Sequence, residues 1–217
     1  MSETIKKPAA AKSGDGAKSG PGRKDGHRRG EILAVARKLF AARGFEATSI
    51  REIGEGAGIL SGSLYYHFDT KEEMLHEIIK DHVFSLLKGY EKCAAASPDP
   101  RTALEELIRF GITRLIDQRE VHAIVVNERG FILRQPSFAY LEETWQEVFR
   151  TWYGVLREGV RAGVFREDLN LHLVLRIIMD SINATIVWFR PGGRYAVEEV
   201  VETQTGILMS GLTVQKS

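Results

Sequence analysis

The run LSGSLYYHFD, Leu60–Asp69, carries two serines, two tyrosines, a histidine and an aspartate in close succession. Two kinds of chemistry could use such a set. A hydroxyl near a His–Asp pair is raw material for nucleophilic or acid–base catalysis. Hydroxyls and phenols on one short exposed element are equally suited to hydrogen-bonding phosphate oxygens and base edges. Spacing separates the two. A serine nucleophile at a strand-to-helix elbow needs Gly-x-Ser-x-Gly after a strand, and neither is present. His67 and Asp69 flank Phe68, which must serve a core, so they do not form a free catalytic pair.

The elements around the run favour hydrogen bonding. Ile32, Leu33, Ala36, Leu39 and Phe40 repeat at helical spacing from Arg28 onward, and Gly44 ends the run. Ser49 with Glu52 is a capping box that opens a second, short helix, broken early by Gly54, Gly56 and Gly58. A third helix spans about Leu60 to Tyr66, with Leu60, Leu64 and Phe68 on the face expected to pack inward. Ser61, Ser63, Tyr65 and Tyr66 are left outside, and Gly62 permits close backbone approach. Two short helices joined by a glycine turn make a helix-turn-helix, whose second helix enters the major groove of double-stranded DNA. The candidate DNA contacts are Arg28, Arg29, Thr48, Ser49, Ser61, Gly62, Ser63, Tyr65, Tyr66, His67 and Lys71, with Tyr66 and Lys71 as phosphate ligands.

The stretch TSIREIGEGAGILSGSLYYHFDTKEEML, Thr48–Leu75, resembles the DNA-binding head of TetR-family transcriptional repressors. Thr48, Ile53, Ala57-Gly58, Gly62, Leu64-Tyr65, His67-Phe68 and Lys71-Glu72 carry the resemblance. Two positions depart from it. Leu60 replaces a small cap residue, so Ser61 is expected to take over capping, and Gly54 replaces a common alanine, which should loosen the second helix. The resemblance implies a ligand-binding and dimerisation body whose last two long helices form a four-helix bundle with a second copy. GAGILSGSLY, FREDLNLHLVLR and WFRPGGRY are, more narrowly, similar to acyl-CoA-responsive repressors of bacterial steroid-ring catabolism.

The rest of the chain reads as all-α, with no strand alternation. Thr70 and Glu73 open a long helix striped with Met74, Leu75, Ile78, Ile79, Val83, Leu86, Leu87 and Tyr90. After the linker AASPDPR, apolar spacing predicts helices near 101–117, 120–133, 137–162, 171–189 and 196–213. The organisation is then a disordered basic tail at 1–25, a helix-turn-helix domain at 26–75, and a body at 76–217. Helix 171–189 is apolar nearly all round and needs burial on more than one side. Val197, Val200, Val201, Gln204, Leu208, Gly211 and Leu212 form the face of the last helix expected to pair with the partner copy. Trp145, Phe149 and Trp152, with Phe110 and Trp188, are either ordinary core or the walls of an apolar ligand pocket. Arg114, Arg129, Arg176 and Asn183 could meet polar or anionic groups there, with Arg176–Asp180 spaced as a helix pair. An acyl-CoA effector follows from the narrower resemblance. Asp180 keeps open the alternative of an efflux-type repressor that senses lipophilic cations.

Composition limits the remaining classes. Residues 1–29 hold eight Lys/Arg against three Asp/Glu, so a basic tail precedes a mildly acidic remainder. Lys18, Arg23 and Lys24 extend the candidate arm toward DNA; a purely solubilising tail is the other reading. Residues 30–70 hold four Lys/Arg against five Asp/Glu, too little charge for a packaging protein that binds DNA by counterion release alone. Cys93 is the only cysteine, which excludes an internal disulfide and a multi-cysteine metal site. His122 and His172 are isolated, so no metal or cofactor is expected, and the chain does not read as an enzyme. GDGAKSG lacks the glycine and strand of a phosphate loop, and GEGAG follows a helix rather than a strand. The run Ile177–Phe189 is broken by Asp180 and Asn183 and too short for a bilayer, which points to the cytoplasm.

Overall fold

In a computed structural model, residues 21–214 are described. They form ten α-helices: α1 Pro21–Arg43, α2 Ile50–Gly56, α3 Ser61–Leu64, α4 Lys71–Ala96, α5 Pro100–Asp117, α6 Arg119–Asn127, α7 Arg129–Ile132, α8 Tyr140–Arg161, α9 Leu171–Trp188 and α10 Val197–Leu212. A single 3-10 turn, Pro136–Phe138, precedes α8. Among the described residues the only β-type pairing is an isolated bridge between Phe165 and Thr213. The tail expected at 1–25 lies mostly outside the described residues; its last part, from Pro21, is instead the first turns of α1.

Local chemistry sets most boundaries. Ser49 accepts from the Glu52 amide while the Glu52 carboxylate accepts from the Ser49 amide, completing the capping box of α2. Thr70 accepts from the Glu73 amide at the start of α4, and Asp99 caps α5 ahead of Pro100. Gly44, Gly58 and Gly163 have φ of 88°, 67° and 70°, left-handed values that end helices where a side chain would be strained. The helix expected over 120–133 is two, interrupted at Glu128.

Two cores organise the protein, and α4 serves both. The first joins Ile32, Ala36, Phe40, Phe45, Ile53, Leu64 and Phe68 of the head to Met74, Leu75, Ile78, Ile79 and Val83 of α4. It also takes in Val121, Ile124, Ile132, Phe138 and Leu141, so it runs past residue 75 into α6, α7 and the start of α8. The second core packs α5, α8, α9 and α10 around Trp152 and Tyr90. By length and composition α9 could cross a membrane, yet its Val174, Leu175, Ile178 and Ile182 row is buried in this core.

Four expectations change on folding. Leu60 is 81% exposed, because it occupies the extended N-cap position of α3 and its side chain leaves before the helical face begins. No side chain caps α3, so Ser61 does not take over that role. Gly54 does not merely loosen α2: a Cβ there would stand 3.1 Å from the Ile59 carbonyl, so its absence lets the turn close. Most of the α10 face expected to meet a partner is turned inward, with Gly211 the exposed member. Val200, Val201 and Leu212 are buried within the protomer. Gln204 bonds to Ser181 on α9, Nε2 to carbonyl at 2.8 Å and to Oγ at 2.9 Å.

Where α4 crosses α5, Gly89 faces the Phe110 ring, and a Cβ there would overlap ring carbons. Gly89→Ala should therefore cost about 1–3 kcal/mol, and Phe110→Leu should recover part of it. Denaturant unfolding of the two single variants and the double variant checks this; an undiminished midpoint in Gly89→Ala would show that the ring has room to move.

Candidate functional site

The head presents its second short helix outward. Tyr66 is 82% exposed, its ring edge-on to the His67 ring at 5.3 Å; Tyr65, Gly62 and Ser63 are exposed beside it. A Cβ at Gly62 would meet nothing within 4 Å, so this surface is open to an approaching partner. With Leu60 they form a patch of hydroxyls and uncovered apolar surface at the tip of the head.

The other candidate contacts are placed differently. Thr48 is buried, and its Oγ1 donates to the Gly44 carbonyl at 2.8 Å. The Lys71 ammonium donates to the carbonyls of Phe45 at 2.7 Å and Thr48 at 2.8 Å and stands 4.4 Å from the Phe45 ring, so the free phosphate ligand expected there is tied to the α1–α2 loop. Arg29 is not a free arm residue. Its guanidinium bonds Glu73 at 2.8 Å and also Glu77, and lies 4.0 Å over the Phe68 ring. Arg28 donates to the Ala57 carbonyl at 2.9 Å and pairs with Glu31. Ser49 is an exposed cap engaged with Glu52, whose carboxyl is held below its usual range by the Ser49 amide and hydroxyl and then by Arg43. Lys18, Arg23 and Lys24 lie outside the residues whose side chains are described.

The body contains a cavity of about 350 Å³ bordered by α4, α5, α6, α8 and α9, with Arg129 of α7 at its edge. The expected residues Arg114, Trp145, Phe149, Arg176 and Asn183 line it. Phe110, Trp152 and Trp188 do not. Phe110 fills the space over Gly89, Trp152 is fully buried with its ring edge-on to Tyr90 at 5.2 Å, and Trp188 belongs to an outer groove between α9 and α10. The exposed Arg176, Asp180, Asn183, Arg129 and Phe149 form the mouth, and the buried His82, Tyr90, Leu115, Val148 and Ile182 form the floor.

The sequence analysis missed His82. Its position within the buried stripe of α4, one residue before Val83, was the available signal. Burial, then Arg114 and His122, push its pKa down to about 4. Burial likewise lowers His122 and raises the Tyr90 phenol. Arg114 Nη2 donates to Ser85 Oγ at 2.7 Å and has no ion-pair partner among the described residues, whereas Arg176 is paired with Asp180 at 3.0 Å. Among the described residues no cluster of three or more His, Cys, Asp or Glu could hold a metal.

Comparison with known proteins decides the class. Residues 32–78 match the bacterial regulatory proteins of the tetR family, and residues 97–212 match the tetracyclin repressor-like C-terminal domain. The chain belongs to the tetR family. By that membership it is a transcriptional regulator rather than an enzyme. It is 38% identical over 185 residues to the HTH-type transcriptional repressor KstR2 of Rhodococcus jostii, covering 85% of this chain and 91% of that protein. KstR2 of Mycobacterium tuberculosis is 36% identical over 186 residues, covering 86% and 93%. The solved structure of the Mycobacterium tuberculosis ketosteroid transcriptional regulator KstR2 superposes with a TM-score of 0.82 at 35% identity, covering 87% of this chain and 96% of that one. AibR, solved with isovaleryl coenzyme A and operator DNA, shares the fold, with a TM-score of 0.73 at 19% identity over 84% of this chain and 98% of that chain.

The depressed pKa of His82 ties stability to pH. The unfolded chain protonates near the usual value of 6.5, while the folded protein refuses the proton until about 4. Stability therefore falls as pH drops through that window, by up to about 3 kcal/mol. Between pH 7 and pH 5, His82→Gln should lose about 2 kcal/mol less than the unaltered protein in denaturant unfolding. Equal losses would show that His82 protonates freely in the folded state.

Proposed function

We propose that the protein is a homodimeric repressor that leaves its operator when an acyl-CoA thioester occupies the body cavity. The observation that carries this reading is the charge of the cavity. Its walls are apolar, Arg129 and Arg176 stand at its mouth and Arg114 within, and its single acid, Asp180, is already engaged by Arg176. Such a site suits a ligand with an apolar body and an anionic end, since guanidinium groups bind phosphate and carboxylate in a two-point fashion. A lipophilic cation would meet no free carboxylate there. At about 350 Å³ the space is near the lower end of ligand pockets, about 300–1,000 Å³. It holds the acyl part, and the nucleotide lies at the mouth. The similarity to KstR2, a repressor described in its solved structure as a ketosteroid regulator, supports a lipid-derived acyl group.

The DNA-facing side is the patch of Gly62, Ser63, Tyr65 and Tyr66, with Ser61 at the start of the helix and His67 at its edge. Short hydroxyls reach phosphates and base edges closely, and the exposed phenols extend to the groove walls. A second copy would cover the outer apolar stripe of α9, Leu173, Ile177, Val187 and Trp188, together with Ile207 on α10. Gly206 and Gly211 on that side of α10 leave open space where a Cβ would be, which allows close helix approach. Operator binding places the protein with the DNA, in the cytoplasm.

The reading is tested by titrating a fluorescent operator complex with CoA thioesters, free acids and lipophilic cations. Thioesters should release the DNA at concentrations where CoA and the free acids do not; release by cations alone would overturn the effector class. Ile207→Arg should convert the dimer to monomer in sedimentation and weaken operator binding at least tenfold, whereas a dimer unchanged by this variant would place the interface elsewhere.

A further inference from the structure

A single charge closes the helix-turn-helix. The motif runs from the Ser49 cap of α2 to Phe68, and Lys71 follows in the first turn of α4. From there the ammonium reaches back across the motif to the carbonyls that precede it: Phe45 at 2.7 Å, Thr48 at 2.8 Å and Glu46 at 3.4 Å. An ammonium has three donors, so none is left over. The Phe45 ring, 4.4 Å from the nitrogen, covers a further side. Bonds from a charged donor are stronger than neutral ones. Three carbonyl oxygens gathered at one point also repel each other once the cation is gone, so the turn before α2 holds its shape only with the ammonium in place.

We propose that Lys71 is a positioning residue: it sets operator preference by fixing where α2 and α3 stand, and it gives no bond to DNA. The proposal rests on the reading of the α3 surface as the DNA-facing side. No lysine or arginine lies between Leu60 and Phe68, so that surface works through hydroxyls and phenols. Hydrogen bonds weaken steeply with distance and angle, and a serine has no long stem with which to follow a displaced groove. Such a helix must be held in place. α3 rides on α2: Gly54 lies against the Ile59 carbonyl, and Ile53 and Leu64 share the head core. α2 begins at Ser49, directly after the Thr48 carbonyl that Lys71 holds. A phosphate ligand in this position would add affinity for every sequence and one more released counterion. A positioning residue adds affinity only for the sequence that the placed hydroxyls fit.

The test compares two duplexes of equal length, one selected by the unaltered protein from a random-sequence pool and one scrambled, over a salt series with the full chain. Lys71→Met should bind the selected duplex about tenfold more weakly and the scrambled one as before, with the slope of log affinity against log salt retained. Equal losses on both duplexes, with a slope smaller by about 0.9, would identify a phosphate ligand and overturn the proposal, as would an unchanged preference. Lys71→Arg, which keeps a cation that can bond carbonyls, should restore part of the preference. Gly89→Ala, a destabilised variant of the body, should keep all of it; an equal drop there would reduce the Lys71 effect to stability and overturn the proposal. One measurement needs no variant. An amine-acylating reagent should modify Lys71 slowly with or without DNA, whereas fast modification suppressed by DNA overturns the proposal. Failure of the α3 reading looks different: Ser63→Ala and Tyr66→Phe then leave binding of the selected duplex unchanged, while Lys71→Met still lowers the preference through α2.

Discussion

The hydrogen bond from the Phe45 amide to the Glu128 carboxylate, 2.8 Å long, marks the constraint on which the rest of the structure depends. It joins the turn after α1 to the break between α6 and α7. Around it the Phe45 ring meets Phe40 at 5.2 Å and Phe131 at 5.0 Å, and the Lys71 ammonium caps the same ring. Arg37 of α1 pairs with Glu120 of α6 at 2.9 Å on the same seam. Burying one phenylalanine contributes about 1.5–3 kcal/mol, and this core includes several large side chains from both sides. The head is therefore not a bead on a tether. It moves with α6 and α7 or it does not move.

That constraint gives the two ends of the molecule opposite designs. The head spends its interior contacts on rigidity, with Arg29 and Lys71 both turned to intramolecular bonds, and leaves the surface of α3 uncovered. The cavity keeps space and unspent donors. Its wall on α6, His122 and Val125, lies on the helix that holds Val121 and Ile124 in the head core. A ligand that favours one placement of α6 thereby favours one placement of the head. A ligand shifts an equilibrium only by its difference in affinity between the two states. The geometry supplies a place for that difference to arise.

Local rules made much of this legible in the sequence. The capping box at Ser49, the Thr70 cap, the Pro100 start and the glycine stops each depend on a few neighbouring residues and sit where spacing put them, although the Glu73 carboxylate accepts from the Asp69 amide and so leaves the Thr70 box half made. The all-α organisation followed from the same short-range signals, and the family from the resemblance carried by Thr48–Leu75. What escaped was set by partners distant in sequence. Leu60 fell on an inward helical row but occupies an extended cap, where the row does not apply. Arg29 looked like an arm residue because Glu73 and Glu77 lie three helices further on, in α4. Phe110 and Trp152 had the aromatic character of pocket walls, but Gly89 receives the first and the centre of the body core encloses the second. His82 resembled any polar residue on a long helix until burial removed its partner and its proton.

Hydrogen exchange of the full chain, with and without a thioester that releases the operator, tests the central claim most directly. Amides of α6 and α7, residues 119–132, border the cavity, and the Phe45 amide is held by Glu128 across the seam. If the head moves with α6 and α7, exchange in 44–48 and in 119–132 changes together when the ligand binds. Altered exchange in 119–132 with 44–48 unchanged would contradict the account.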